Sequence, residues 1–173
     1  MPTDGEITFA DHAGRLFARR YGFAPMVGRL LGYLMLCDPP GQSIAELAEA
    51  LLASRSAITN AAAFLDNLGY IRRSRAAGER MDRIWVDLSS AEATGFDVTE
   101  YQEQGDLARE GLAVLADAPP ERRALLLWYA AFADFLVARL PLVEKDWIAH
   151  REALLASGEF PDPPAHHRKR ETP

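Results

Sequence analysis

Cysteine is nearly absent from this chain of 173 residues: Cys37 stands alone. No intrachain disulfide can form, and a reducing compartment, the cytoplasm, is expected. Apolar runs are short, none approaching the roughly 20 residues of a membrane span, so no membrane partner is expected. The start, Met1-Pro2-Thr3-Asp4-Gly5-Glu6, lacks the basic-then-apolar order of a secretory signal. Metal-ligand spacing is missing too. His12, His150, His166 and His167 keep no ligand-like interval from cysteine or carboxylates. There is no glycine-rich phosphate loop, no nucleophile elbow and no internal repeat. Glu46 and Glu49 lie one turn apart, where capping and surface exposure account for both, and Cys37 reads as a small core residue. The expectation is no catalytic residue, no metal and no cofactor: this is not an enzyme.

What is present has the balance of a globular chain, with 49% hydrophobic and 25% charged residues. This length buries roughly 70% of the surface that the unfolded chain exposes. The net charge of −6 is uneven. Residues 1–88 hold ten Lys+Arg and ten Asp+Glu, whereas residues 89–173 hold nine against fifteen. Between Ser54 and Ile84, six arginines face three carboxylates, a local charge of +3. An acidic chain with such a patch can still bind a polyanion, because the local field decides.

The periodicity predicts a helix over Thr8–Tyr21, where Phe9, Ala13, Leu16, Phe17 and Tyr21 recur at three- and four-residue steps and Thr8 with Asp11 resembles a capping pair. Pro25 opens a second helix carrying Val27, Leu30, Leu31 and Leu34, and Asp38-Pro39-Pro40-Gly41 breaks the chain. Ser43-Ile44-Ala45-Glu46 is a capping box. Ser54 caps the next helix, which runs to about Leu68 with Ile58, Ala61 or Ala62, Leu65 and Leu68 buried and Gly69 beyond its end. Period two then takes over: Tyr70–Arg75 and Arg83–Leu88 read as strands of a hairpin. Helix, turn, helix and ribbon make a winged helix-turn-helix. Helices return from about Ala91 to Asp117 and from Glu121 to Leu140, with Pro141 expected to interrupt before a last helix.

On the second helix of the pair, removing the buried face leaves Arg55, Ser56, Thr59, Asn60 and Ala63 outward. The start of such a helix meets base edges in the major groove, where Asn matches adenine and Arg matches guanine. Ser43 and Ser54 cap the two helices and join the candidate DNA-binding set. On the hairpin, Arg72, Arg73, Arg75 and Arg83 would contact phosphate, and Arg80 near the tip would enter the minor groove. Five arginines and no lysine between residues 72 and 83 favour this over a merely solvated sheet edge.

The segments Ser43–Ala48, Ser54–Thr59, Leu65–Ile71 and Gly78–Asp82, after Asp38-Pro39-Pro40, resemble the GbsR branch of MarR-type transcriptional regulators. The resemblance is strong over about residues 9–90 and architectural beyond. It implies a bacterial homodimer on a pseudo-palindromic operator of double-stranded DNA, with affinity set by a small-molecule effector. It also implies Ser54–Asn60 in the major groove and Arg80 in the minor groove. Ala63 departs from the pattern, standing where the family would carry an arginine. Quaternary amines are the effectors that the GbsR likeness suggests, and aromatic cages hold these by cation–π attraction. Trp85, Trp128 and Tyr129 are the aromatic candidates, with Trp147 also available.

The expected fold is mainly α with a small β-hairpin wing, a MarR-like winged helix-turn-helix with terminal dimerisation helices. The boundaries are 1–24 for an N-terminal dimerisation helix, 25–90 for the DNA-binding domain, 91–158 for a helical dimerisation region and 159–173 for a disordered tail. Leu125–Leu140 is apolar nearly all round, which demands burial inside one subunit or between two. The leading expectation is a dimeric, effector-responsive repressor. The alternative is a winged-helix adaptor that grips an acidic protein with its basic hairpin.

Overall fold

The computed structural model describes residues 1–75, 81–87 and 94–160. It is mainly helical with one two-stranded antiparallel hairpin, and it divides into two compact units after residue 93.

In the first unit, α1 (Asp4–Tyr21) packs along α2 (Pro25–Leu34). Small residues make the approach close: a Cβ placed on Gly32 would lie 2.4 Å from the Cβ of Ala13. Two short helices follow, α3 (Ile44–Ala50) and α4 (Arg55–Asn67). Strands β1 (Ile71–Ser74) and β2 (Arg83–Val86) pair with Ile71 opposite Val86 and Ser74 opposite Arg83. Leu30, Leu31, Leu47, Leu51, Ile58, Leu65 and Ile84 form one fully buried core. Each helix, and the hairpin, contributes a single apolar face to it, which joins the elements into one unit. The chain enters α3 through Gln42, whose backbone exchanges two hydrogen bonds with Ile84 and so attaches β2 to the helix pair. Just before it, Gly41 has φ +83° and supports the Trp85 ring; a Cβ there would come within 2.4 Å of the indole. Both the backbone conformation and the space require glycine.

The second unit is a helical hairpin of α5 (Thr99–Val114) and α6 (Pro120–Ser157). Ala108, Ala130 and Ala133 are buried, and Arg109 bridges Asp106 on its own helix and Asp134 on α6. Most of the large apolar side chains of α6 are exposed on the single chain, Trp128, Phe132 and Phe135 among them.

Three expectations need correction. Helix α1 begins earlier, at a capping box in which the Thr3 hydroxyl accepts from Glu6 N–H while Glu6 accepts from Thr3 N–H; Thr8 and Asp11 lie inside the helix. Helix α6 is continuous through Pro141. Proline removes one hydrogen bond, to the carbonyl of Val137, and the helix-forming residues on both sides carry the helix across that gap. Finally, α6 is long and apolar enough to cross a membrane by length and composition: an 18-residue window has mean hydropathy 1.6 and is 11% buried. Counting uninterrupted apolar residues overlooked this, because Asp134 and Arg139 punctuate an otherwise apolar stretch. The tail from residue 161 onward and the hairpin loop of residues 76–80, including Arg80, lie outside the described residues.

The close approach of α1 and α2 leads to a direct expectation. Gly32→Ala should destabilise the fold by about 1–3 kcal/mol through overpacking, read as a lower denaturation midpoint with an unchanged slope.

Candidate nucleic-acid interface

Helix α4 takes its orientation from its buried side. Ile58, Ala61, Ala62 and Leu65 are all buried, so the rotation of the helix about its axis is determined. Arg55, Ser56, Thr59, Asn60 and Ala63 consequently face outward, as the pattern predicts. The Ser54 hydroxyl accepts from Ala57 N–H at 3.1 Å and lies 3.0 Å from the Ser56 hydroxyl, closing the first turn. Thr59 donates its hydroxyl proton to the Arg55 carbonyl at 2.8 Å, which leaves its methyl group as the outward feature. Arg55 has no ion pair among the described residues, and the Asn60 amide is exposed. The N-terminus of α4 adds the positive end of a helix dipole at the same place.

Ser43 does not belong to this exposed set. It is 3% exposed, and its hydroxyl accepts from Glu46 N–H while the Glu46 carboxylate accepts from Ser43 N–H. The side chain is committed to capping α3. Its backbone and side-chain bonds, with Arg83 nearby, hold the Glu46 carboxyl below its ordinary pKa.

The hairpin arginines lie on the predicted strands, but every described one is held by a carboxylate. Arg72 pairs with Asp87, whose side chain is 1% exposed. Arg83 donates to the Gly41 carbonyl at 3.1 Å and to Glu46 at 3.3 Å, fastening β2 to the start of α3. Arg73 reaches Asp66 on the last turn of α4 at 2.9 Å, and Arg75 reaches Asp82 at 2.7 Å. Expecting four freely available phosphate contacts therefore requires revision: Arg72 and Arg83 hold the hairpin in place, whereas Arg73 and Arg75 are surface pairs. Sequence reading missed these partners because they depend on strand register, which local patterning leaves open.

The aromatic candidates are divided between the two units. Trp85 is buried against Gly41 and donates its indole N–H to the Ser74 hydroxyl at 2.7 Å, the setting of a core residue. Trp128 and Tyr129 are exposed on α6, in the second unit. Cys37 is buried, and burial pushes its thiol pKa up, away from nucleophilic character. Among the described residues no group of His, Cys, Asp and Glu could hold a metal ion.

Residues 90–151 match the profile of the MmpR5-like MarR family transcriptional regulators. Over 115 residues the chain is 38% identical to the HTH-type transcriptional regulator MmpR5 of Mycobacterium tuberculosis, covering 66% of this chain and 69% of that protein. A crystal structure of a transcriptional regulator superposes with a TM-score of 0.76 at 31% identity, covering 84% of this chain and 99% of the other. These matches support the MmpR5-like branch and do not single out GbsR.

The bonding around Ser43 and Asp87 separates structural from contact roles. Ser43→Ala should cost about 1 kcal/mol of stability, the usual value of an N-cap. Because the Glu46 pKa is lowered in the fold, its contribution is whole above the ordinary value of 4.5 and fades as pH falls through the lowered one. Glu46→Gln should therefore lower the thermal midpoint at pH 7, with the difference from the parent closing in acid. Arg72→Ala, which takes a charged partner from the buried Asp87 carboxylate, should cost about 1–3 kcal/mol, whereas Arg55→Ala should stay within about 0.5 kcal/mol of the parent.

Proposed function

Starting from a chain that belongs to the MarR family of winged helix-turn-helix transcriptional regulators, in its MmpR5-like branch, we propose a dimeric, sequence-specific DNA-binding repressor. The observation that carries this is the outward face of α4. Four buried apolar residues fix the helix, and its solvent side presents Arg55, which has no ion pair among the described residues, together with Thr59 and the exposed Asn60. Those groups fit the edges of a major groove, where Arg reads guanine, Asn reads adenine and a methyl meets thymine. In this reading Arg80 supplies a minor-groove contact from the hairpin loop, and the operator is a pseudo-palindrome in double-stranded DNA.

A second copy of the chain is the proposed cover for α6. The helix is 38 residues long, about 57 Å at 1.5 Å per residue, and its apolar side chains are exposed on the single chain. Covering them across a two-fold axis would give two α4 helices for two half-sites. A small-molecule effector would then act by changing the separation of those helices, a coupling typically worth about 1–3 kcal/mol. The protein would act in the cytoplasm, where the operator is.

Two measurements test this reading. Asn60→Ala should change base preference, costing about 1–3 kcal/mol on the preferred site, while Arg80→Ala should weaken binding to all sequences with a shallower salt dependence. Binding by both variants like the parent would refute the docking. The dimer is tested by light scattering without detergent: the parent should run at twice the chain mass and Phe132→Glu at the chain mass. A monomeric parent, or one that requires detergent, would reject the second copy as the cover for α6.

A further inference from the structure

The four described hairpin ion pairs differ in a way that bears on binding strength. Asp87 is 1% exposed, and Arg83 is fastened to a backbone carbonyl as well as to Glu46, so releasing either arginine breaks a bond to a buried carboxylate or to the backbone. The other two pairs are open to solvent. Arg73 and Asp66 have side-chain exposures of 33% and 42%, and Arg75 and Asp82 of 58% and 47%. Each is held through the arginine Nε. Pairs of this kind contribute little to stability and are readily exchanged.

Their placement gives that exchange a consequence. Asp66 lies on the exposed side of the last turn of α4, and Arg75 and Asp82 lie just beyond the final ladder pair, Ser74 with Arg83. Arg73 is thereby held at the C-terminal end of the helix that carries Arg55 and Asn60, and Arg75 at the open end of the hairpin ladder. A phosphodiester offers two non-bridging oxygens that accept from a guanidinium in the same bidentate way as a carboxylate, with the same single charge. We infer that Asp66 and Asp82 are intramolecular competitors of DNA phosphate, which hold Arg73 and Arg75 in the free protein and weaken its grip on DNA. The inference rests on the proposed DNA-binding function. On binding, each arginine passes from carboxylate to phosphate, and the released carboxylate recovers water and a cation. That cation offsets one of those the DNA gives up, so the competitors reduce both the affinity and its dependence on salt.

The test uses the full chain, fluorescence anisotropy and a mixed-sequence duplex, since phosphate contacts are independent of sequence. Asp66→Asn and Asp82→Asn should each tighten binding by roughly twofold to fivefold at 0.1 M salt, with a larger gain in the double variant. The slope of log affinity against log salt should steepen by about 1–2 per substitution in a dimer. Asp117→Asn, which makes the same charge change on the exposed end of the α5 region, should leave affinity within about twofold. Salt-dependent binding by the parent, with Asp66→Asn and Asp82→Asn unchanged or weaker, would overturn the competition alone. So would an equal gain from Asp117→Asn, because net charge would then explain it. Failure of every variant to bind any duplex would overturn the DNA reading and this inference together.

Discussion

The surface proposed to meet DNA depends on the burial of one side of α4. Ile58 and Leu65 are seven residues apart, two turns of helix, and both are fully buried. With Ala61 and Ala62 between them, they leave a single rotational setting that satisfies the core formed with α2 and α3. Rotating the helix by one residue, about 100°, would drive a polar side chain into that core and lift a leucine into water. The outward identity of Arg55, Thr59 and Asn60 follows from the packing behind them. A surface reader must be rigid to discriminate between bases, and here rigidity comes from apolar contacts that never touch the partner.

Charge near that surface is shared between holding the fold and meeting a ligand. Asp87 holds Arg72 within the hairpin, where the burial of its carboxylate makes the pair costly to break, and Glu46 holds Arg83 at the start of α3. The exposed pairs at Asp66 and Asp82 are of the other kind, cheap to form and cheap to exchange. Counting arginines along the sequence therefore overstates the free positive charge on the hairpin. It equally weakens the picture of a basic finger gripping an acidic protein, since every described hairpin arginine already has a carboxylate.

Local chemistry made much of the fold legible in advance. The Ser43 capping box, the Ser54 cap, Pro25 at a helix start and the change from period 3.6 to period 2 are short-range signals, and the structure carries all of them. The outward face of α4 was legible for the same reason, because subtracting the apolar stripe leaves the answer. Arg72 with Asp87, fifteen residues apart, was not legible, because it requires knowing the strand register and the end of β2. Ser43 was misassigned to the interface because a cap and a contact residue look alike in sequence, and only burial separates them. Pro141 misled in the opposite direction: a strong local breaker is overridden when long helical stretches flank it. The Thr3–Glu6 box has the capping spacing but stands apart from the apolar pattern, whereas Thr8 lies next to it.

The central claim is that this scaffold reads DNA sequence. It is tested most directly by anisotropy titration of the purified chain against duplexes from its own upstream region and scrambled duplexes of equal composition, over a range of salt concentrations. The account predicts upstream binding tighter by about 10³-fold or more, with a log–log salt slope of roughly −5 to −9. Equal and weak binding to both duplexes, with a slope near zero, would contradict it.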